Sequence, residues 1–225
     1  MTKRQKIALK NLPAMLSVIR RQVKKWKQPI VGQFADGKSH APFRVLISTV
    51  LSLRTQDATT EKASHRLFAR AASPEEMLKL SASEIEKLIY PVGFYRTKAR
   101  VLREISRDLL ARFGGVVPDD IDALLTLKGV GRKTANLVVT QGFNKPGICV
   151  DVHVHRISNR WGFVKTRNPE ETEMALRRAL PRRYWIGYND LLVSFGQNIC
   201  LPVSPRCSEC PIRATCPRRG VVHSR

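Results

Sequence analysis

Apolar positions recur at helical spacing along most of the chain, and the segments end at residues that favour helix termini. The run Phe43–Leu53 is apolar on most sides, which predicts a buried central helix. Ser73 and Ser81 each precede a glutamate by three residues, the spacing of a capping box, and Lys98–Phe113 has helical periodicity and ends at glycine. Further helices are predicted after Asn168-Pro169 and over 184–199. Strand-like alternation is weak, so we predict an all-α fold.

Two shifts in composition predict two helical lobes. Residues 37–146 are apolar and rich in helix caps, which indicates a central helical bundle. Both ends of the chain are basic, and the C-terminal end holds four of the five cysteines. We therefore expect 1–36 and 147–225 to form one lobe together. The first segment is predicted to be an amphipathic helix of the fold and not a transit peptide, on its apolar stripe of Met15, Leu16, Val18, Ile19, Val23 and Trp26.

The charge balance predicts a polyanionic partner. Lys and Arg number 40 against 18 Asp and Glu, a formal net charge of +22, and no acidic residue precedes Asp36. Each contact with a phosphate releases condensed counterions, which favours nucleic acid, and a solvated basic surface is the alternative. No long apolar stretch, lipidation signal or secretory segment supports a membrane or an extracellular location. We expect an intracellular protein, cytoplasmic and nucleoid-associated if the source is prokaryotic.

Four cysteines near the C-terminus form a candidate metal centre. Their spacing is Cys-x6-Cys-x2-Cys-x5-Cys, with prolines between them that stiffen the loop. The four are Cys200, Cys207, Cys210 and Cys216. Four thiolates can hold either a structural zinc ion or an iron–sulfur cluster, and this spacing is not that of a ferredoxin. Cys149 lies apart in an apolar setting and is predicted to be a buried structural thiol.

The segment Leu124–Val139 predicts a helix, a glycine-bracketed turn and a second helix. Such a turn exposes backbone N–H groups before a new helix, an arrangement that binds a phosphate irrespective of sequence. The candidate DNA-binding residues of the turn are Gly129, Val130, Gly131 and Arg132. A Gly-x-Gly turn alone also occurs in many interhelical connections, so its meaning depends on the basic character of the chain.

Two residues are candidates for catalysis: one lies just after this turn and the other lies further along the chain. Lys133 starts the second helix, where the helix dipole disfavours an ammonium, and a neutral amine is a competent nucleophile for a sugar C1′. From the residues alone, a lysine that contacts phosphate or solvent remains an alternative. Asp151 is either an ordinary helix N-cap or a carboxylate that stabilises a positively charged sugar. His153 and His155 point apart on a helix, which argues against a metal site there.

With these features the chain resembles the endonuclease III family of the helix-hairpin-helix glycosylases. The resemblance runs from about Pro42 to Cys216 and rests on LKGVGRKTA, on VDVHVHR about twenty residues later, and on the four-cysteine loop. It implies two helical lobes with DNA between them and a [4Fe–4S] cluster in place of zinc. It further implies flipping of a damaged nucleotide, Lys133 as the Schiff-base lysine and Asp151 as the catalytic aspartate.

Two further segments correspond to loops that would stabilise the duplex after flipping. In LSLRTQD the position often held by glutamine in the bacterial enzymes is Arg54, with Gln56 two residues on. In PVGFYRTKAR the wedge position, often leucine, is Phe94. We expect Arg54 to contact the orphaned base or a phosphate and Phe94 to stack into the duplex. A surface arginine and a core phenylalanine are the structural alternatives.

The predicted function is a bifunctional DNA N-glycosylase and abasic-site lyase of base excision repair, acting on oxidised pyrimidines in double-stranded DNA. The nearest alternative is a monofunctional mismatch or adenine glycosylase of the same superfamily, which would lack a lysine at position 133. A non-catalytic DNA-binding module with a structural metal and a DNA-bound redox protein are further alternatives. No dedicated dimer interface is visible in the sequence, so a monomer is expected.

Overall fold

A computed structural model describes residues 3–26 and 41–225, with side chains from Lys10 to Trp26 and from Pro42 onward. Within these ranges the chain is helical and contains no strand, which confirms the all-α prediction. Contacts divide the chain into two compact units, Met1–Pro29 with Ile148–Arg225, and Ile30–Gly147. The first is called here the terminal unit and the second the central unit. The domain boundary predicted at 36/37 lies outside the described residues.

The central unit is built around α2, whose sequence is apolar on most sides. Val45, Leu46, Ile47 and Leu51 are fully buried in a core that the surrounding helices share. Burial of this many aliphatic side chains supplies the main stabilisation of the unit. Its helices are α2 (Ala41–Ser52), α3 (Asp57–Phe68), α4 (Pro74–Lys79), α5 (Ala82–Ile89), α6 (Tyr95–Phe113), α7 (Ile121–Leu125) and α8 (Arg132–Leu137), followed directly by a π-helical turn (Val138–Gly142).

The helix ends of the central unit form at the residues that the sequence indicates. Ser73 accepts a hydrogen bond from the Glu76 N–H, with proline at the first helical position of α4. Ser81 and Glu84 form a complete capping box at the start of α5. Gly114 ends α6 in the left-handed conformation, at φ 59°. These local signals therefore fix where the short helices begin and where α6 stops.

The terminal unit combines the first helix of the chain with its last three. Ile19, Val154, Ile157 and Leu192 are fully buried in one core, so the predicted amphipathic stripe of α1 does pack inward. Asn168 accepts from the Glu171 N–H and caps α10, as its sequence predicts. The helices are α1 (Lys3–Val23), α9 (Val152–Arg160), α10 (Pro169–Ala179) and α11 (Trp185–Asn198), with a 3-10 turn (Arg182–Tyr184) before α11.

Cys149 is buried, in agreement with its predicted structural role. In the described part of the chain, no helix combines the length and the apolar character needed to cross a membrane.

Candidate functional site

The predicted hairpin is present in the central unit as α7, a tight turn and α8. Asp120 caps α7 by accepting a hydrogen bond from the Ala123 N–H. Gly129 has φ +79°, and a Cβ there would lie 2.8 Å from Cγ1 of Val101 on α6. Both the conformation and the space therefore require glycine at this position. Val130 is buried, and its N–H closes the turn on the Leu127 carbonyl at 3.1 Å.

Gly131 is the N-cap residue of α8 and is exposed. It has no side chain to accept from the first turn of the helix, and a Cβ at this position would meet nothing within 4 Å. The backbone at the start of α8 is consequently open to an approaching anion, and helix N-termini favour anions. Arg132, half-buried, is the first residue of the helix.

Lys133 is the second residue of α8 and is half-buried. The residues that follow it, Thr134 to Thr140, are buried without interruption through the end of α8 and into the π-helical turn. The backbone that carries Lys133 is therefore anchored in the core of the central unit, while its side chain keeps partial exposure. A nucleophile needs this combination of fixed position and access.

Asp151, in the terminal unit, is the N-cap of α9. Its Oδ1 accepts hydrogen bonds from the N–H groups of His153 and Val154, both at 2.9 Å. Both bonds use the same oxygen, so Oδ2 takes no part in the cap. The structural role that the sequence suggests for Asp151 is thus present, and it leaves one carboxylate oxygen for other contacts.

The two histidines of α9 have separate partners. His153 Nδ1 lies 3.0 Å from Nη2 of Arg156, whereas His155 Nδ1 lies 2.7 Å from Oγ1 of Thr172. Burial lowers the pKa of His155, which favours its neutral form. Each ring therefore contacts a different neighbour, Arg156 within α9 and Thr172 on α10.

The four cysteines of 200–216 line one cavity in the terminal unit, together with Trp161, Phe195 and Ile199. None of the five cysteines of the chain is in a disulfide. Burial raises the pKa of the Cys210 thiol to about 11, and burial likewise raises that of Cys216. Burial therefore opposes the deprotonation that metal ligation requires of these cysteines, whereas the arginines that line the same cavity favour it.

The donor set of the cavity decides which metal group its residues fit. Among the described residues, no group of three or more His, Cys, Asp or Glu side chains is placed to hold a metal ion. The cavity offers four soft sulfur donors among apolar side chains and arginines, and this donor set is one that iron–sulfur clusters, like structural zinc, use. The residues present therefore fit a [4Fe–4S] cluster in their chemistry.

Sequence reasoning missed two arginines of α9 that hold the cysteine loop. Arg160 is buried and donates to Sγ of Cys200 at 3.3 Å and to the carbonyls of Leu201 and Pro202 at 2.6 and 2.7 Å. Arg156, one helical turn earlier, donates to the Cys200 carbonyl at 2.8 Å. Their four-residue spacing places them on one face of α9, but nothing in the sequence indicates that this face contacts the cysteine loop.

The two predicted duplex-stabilising loops lie in the central unit. Arg54 follows the end of α2 and is exposed, at φ 54°, and Gln56 is the exposed N-cap residue of α3. Phe94 precedes α6, at φ 58°, with 62% of its surface exposed. The core-phenylalanine alternative is therefore wrong, because Phe94 projects into solvent. The Arg54 guanidinium carbon lies 5.6 Å from the centre of the Phe94 ring.

Comparison with known proteins gives the family. Residues 47–182 match the family described as "HhH-GPD superfamily base excision DNA repair protein". Endonuclease III of Thermotoga maritima is 53% identical over 186 residues, which cover 81% of this chain and 87% of that protein. This chain belongs to the endonuclease III family.

Solved structures agree with this membership of the endonuclease III family. A trapped endonuclease III–DNA covalent intermediate superposes with a TM-score of 0.78 at 32% identity, over 96% of each chain. A non-covalent endonuclease III–DNA complex superposes with a TM-score of 0.81, at the same identity and coverage. The family resemblance and the fold class predicted from the sequence are both confirmed.

Proposed function

We propose that this endonuclease III family member excises oxidised pyrimidines from double-stranded DNA and nicks the abasic strand, with Lys133 as nucleophile. Membership of the family supports the activity of a DNA glycosylase and abasic-site lyase in base excision repair. The observation that carries the assignment of the nucleophile is the position of Lys133. It is the half-buried amine at the start of α8, directly after a glycine turn of the kind that binds phosphate.

The reaction proposed for Lys133 begins at the sugar C1′ and ends with cleavage of the bond between C3′ and its phosphate oxygen. The neutral amine attacks C1′, the glycosidic bond breaks, and the base leaves with its electron pair and takes up a proton. The aminosugar then opens to an imine, which acidifies the C2′ protons. Removal of one of these protons expels the 3′ phosphate by β-elimination, and hydrolysis of the imine frees Lys133.

Asp151 is proposed to support the sugar as positive charge develops on it. A carboxylate oxygen near the ring stabilises an oxocarbenium-like transition state and can accept or return protons. The N-cap bonds of Oδ1 fix the orientation of the carboxylate, because two backbone N–H groups hold it. Oδ2 is then the oxygen available for this chemistry.

DNA binding is assigned to the hairpin turn and to the excess of positive charge. The exposed backbone at Gly129 and Gly131 suits a phosphate of the DNA strand, and Arg132 adds a cation beside it. The net charge of +22 supplies attraction that does not depend on sequence. A DNA substrate would place the protein with the chromosome, in a prokaryote the nucleoid, and we propose that it acts there as a monomer.

A [4Fe–4S] cluster is proposed as the cofactor, held by Cys200, Cys207, Cys210 and Cys216. When bound, it would supply four iron–thiolate bonds that fix the fold of the loop 200–216. Arg160 supports this arrangement from the protein side, since its guanidinium donates to Sγ of Cys200 and favours the thiolate.

Arg54, Gln56 and Phe94 are proposed to contact the duplex where the damaged nucleotide has left it. All three side chains are exposed on turns next to helix ends. An exposed aromatic ring can stack on a base, and a guanidinium can bind a base edge or a phosphate.

Borohydride trapping tests the proposal. The protein is incubated with a duplex that carries one thymine glycol, the imine is reduced, and the covalent complex is measured for wild type, Lys133→Gln and Lys128→Gln. Lys128 is the matched control because it lies in the same hairpin and is exposed, paired with Glu104 at 2.9 Å. We expect a complex with wild type and Lys128→Gln and none with Lys133→Gln. A folded wild-type protein that binds the duplex and forms no complex would contradict the lyase assignment for this lesion.

A further inference from the structure

Lys98 is a buried lysine that the chemistry above does not use. It lies in the first turn of α6 on the apolar face that also carries Leu102 and Ile105, and only 7% of its surface is exposed. Burial lowers its pKa from 10.5 to about 8, so at neutral pH the side chain still carries its proton and three N–H donors.

All three donors of Lys98 have acceptors at the end of α2 and in the turn that follows it. Nζ donates to the carbonyls of Leu51 at 2.8 Å and Leu53 at 2.6 Å, and to Oγ1 of Thr55 at 3.2 Å. The two carbonyls flank the helix end, where backbone acceptors lack partners within the helix. Lys98 therefore attaches the start of α6 to the turn that carries Arg54.

The same turn also contacts the loop that carries Phe94. Oγ1 of Thr55 accepts a hydrogen bond from the Gly93 N–H at 3.2 Å. A Cβ on Gly93 would lie 2.5 Å from the Arg54 carbonyl oxygen, so the two backbones approach too closely for any side chain there. Thr55 thus joins Lys98 and Gly93 in one network that spans both loops.

Arg54 and Phe94 both have left-handed backbone conformations, at φ 54° and 58°. Residues other than glycine rarely adopt this region, and they persist in it only where surrounding contacts hold them. The pair is also in side-chain contact, since the guanidinium lies over the ring at 5.6 Å. Lys98 and Thr55 form the hydrogen bonds to the backbone beside these two residues, at Leu53 and Gly93.

We propose that Lys98 is a positioning residue that holds Arg54 and Phe94 as one preassembled pair for insertion at the displaced nucleotide. The inference rests on the proposed function, since it assigns a task to the pair in DNA from which a base is extruded. A pair held in advance does not have to be ordered on binding, which favours the extruded state. Lys98 acts only through the pair and does not touch the substrate.

Arg103 provides a matched comparison on the same helix. It also donates to backbone carbonyls at a helix end, those of Leu78 in the last turn of α4 and Leu80 just after it, but it has no hydrogen bond to either loop. Replacement of Arg103 thus removes a similar attachment of α6 and leaves the Arg54–Phe94 pair intact.

The experiment compares Lys98→Met, Thr55→Val and Arg103→Met with wild type in single-turnover assays on two duplexes. One duplex carries thymine glycol, whose base must be extruded, and the other carries a preformed abasic site, which has no base to extrude. Thermal unfolding by circular dichroism measures the stability of each variant. The quantity compared is the ratio of the two rates, which a general loss of folded protein does not change.

We expect Lys98→Met to lower the rate on thymine glycol by about 10- to 100-fold, because small displacements of positioned groups have effects of this size. The rate on the abasic duplex should fall much less, because that substrate has no base to extrude. Thr55→Val should shift the ratio in the same direction by less, since the two carbonyl bonds of Lys98 remain. Arg103→Met should lower the melting temperature and leave the ratio at its wild-type value.

An unchanged ratio in Lys98→Met, or a shift equal to that in Arg103→Met, would overturn the inference. If Lys98→Met does not fold, Thr55→Val decides the question by the same ratio. Failure of the proposed function is a separate result, because it would appear as absent excision and absent trapping in the wild-type protein.

Discussion

The two roles of Asp151, as helix cap and as catalytic carboxylate, can be separated with two substitutions. Asp151→Ala removes the acceptor of the His153 and Val154 N–H bonds, both 2.9 Å long. Loss of an N-cap costs about 1 kcal/mol, within a range of about 0.5–2. For a chain of this size the melting temperature should fall by about 2–4 °C for each kcal/mol. Asp151→Asn keeps an amide oxygen in the position of Oδ1, so the cap remains.

Loss of the negative charge in Asp151→Asn still costs about 0.3–1 kcal/mol at low salt, because the carboxylate interacts with the helix dipole. Thermal unfolding in salt on the order of 0.5 M screens this effect, so Asp151→Asn should approach wild-type stability while Asp151→Ala does not. Excision of thymine glycol should fall by about 10²- to 10⁴-fold in both variants if the carboxylate serves acid–base chemistry.

Single-turnover excision and circular dichroism melts, measured on the same preparations, give both quantities. If Asp151→Asn excises thymine glycol at the wild-type rate, Asp151 acts only as a helix cap and not in catalysis. Equal destabilisation by the two substitutions at high salt would show that the amide does not replace the carboxylate in the cap.

Three further substitutions test the architecture. Arg160→Met removes the donors to Cys200, Leu201 and Pro202, and each charge-assisted bond contributes about 1.5–3 kcal/mol. If the proposed cluster is present in the wild-type protein, the variant should lose visible absorbance and bound iron. Full iron content in the variant would contradict the role of Arg160. Leu46→Ala empties a fully buried position in the central unit and should cost about 2–5 kcal/mol in denaturant unfolding. Ser81→Ala removes the capping box of α5 and should lower the free energy of unfolding by about 1 kcal/mol. Excision should be unchanged, and altered excision would show that the effect is not local.

The sequence predicts most of the helical elements because their signals are local, although it singles out no helix over α3 (Asp57–Phe68). The capping box of Ser81 and Glu84 and the terminal glycine of α6 act within one turn of the helix they delimit. The four-cysteine loop and the hairpin turn are also contiguous, so their residue types and spacing are visible without a structure.

Contacts between distant segments could not be predicted in the same way. Lys98 reaches acceptors more than forty positions earlier in the chain, and Arg160 reaches the carbonyls of Leu201 and Pro202 about forty positions later. The sequence does contain one indication of the role of Lys98. It stands on the apolar face of α6, and a lysine buried there must have polar partners. Which partners it finds depends on the packing of α2 against α6, and periodicity does not specify that packing.

The most direct test of Lys133 as the nucleophile identifies the amine that becomes attached to DNA. Wild-type protein is trapped with borohydride on a thymine glycol duplex, digested with protease and nuclease, and the modified peptide is sequenced by mass spectrometry. We predict a reduced sugar adduct on Lys133. An adduct on another lysine or on the N-terminal amine, with Lys133 unmodified, would contradict it.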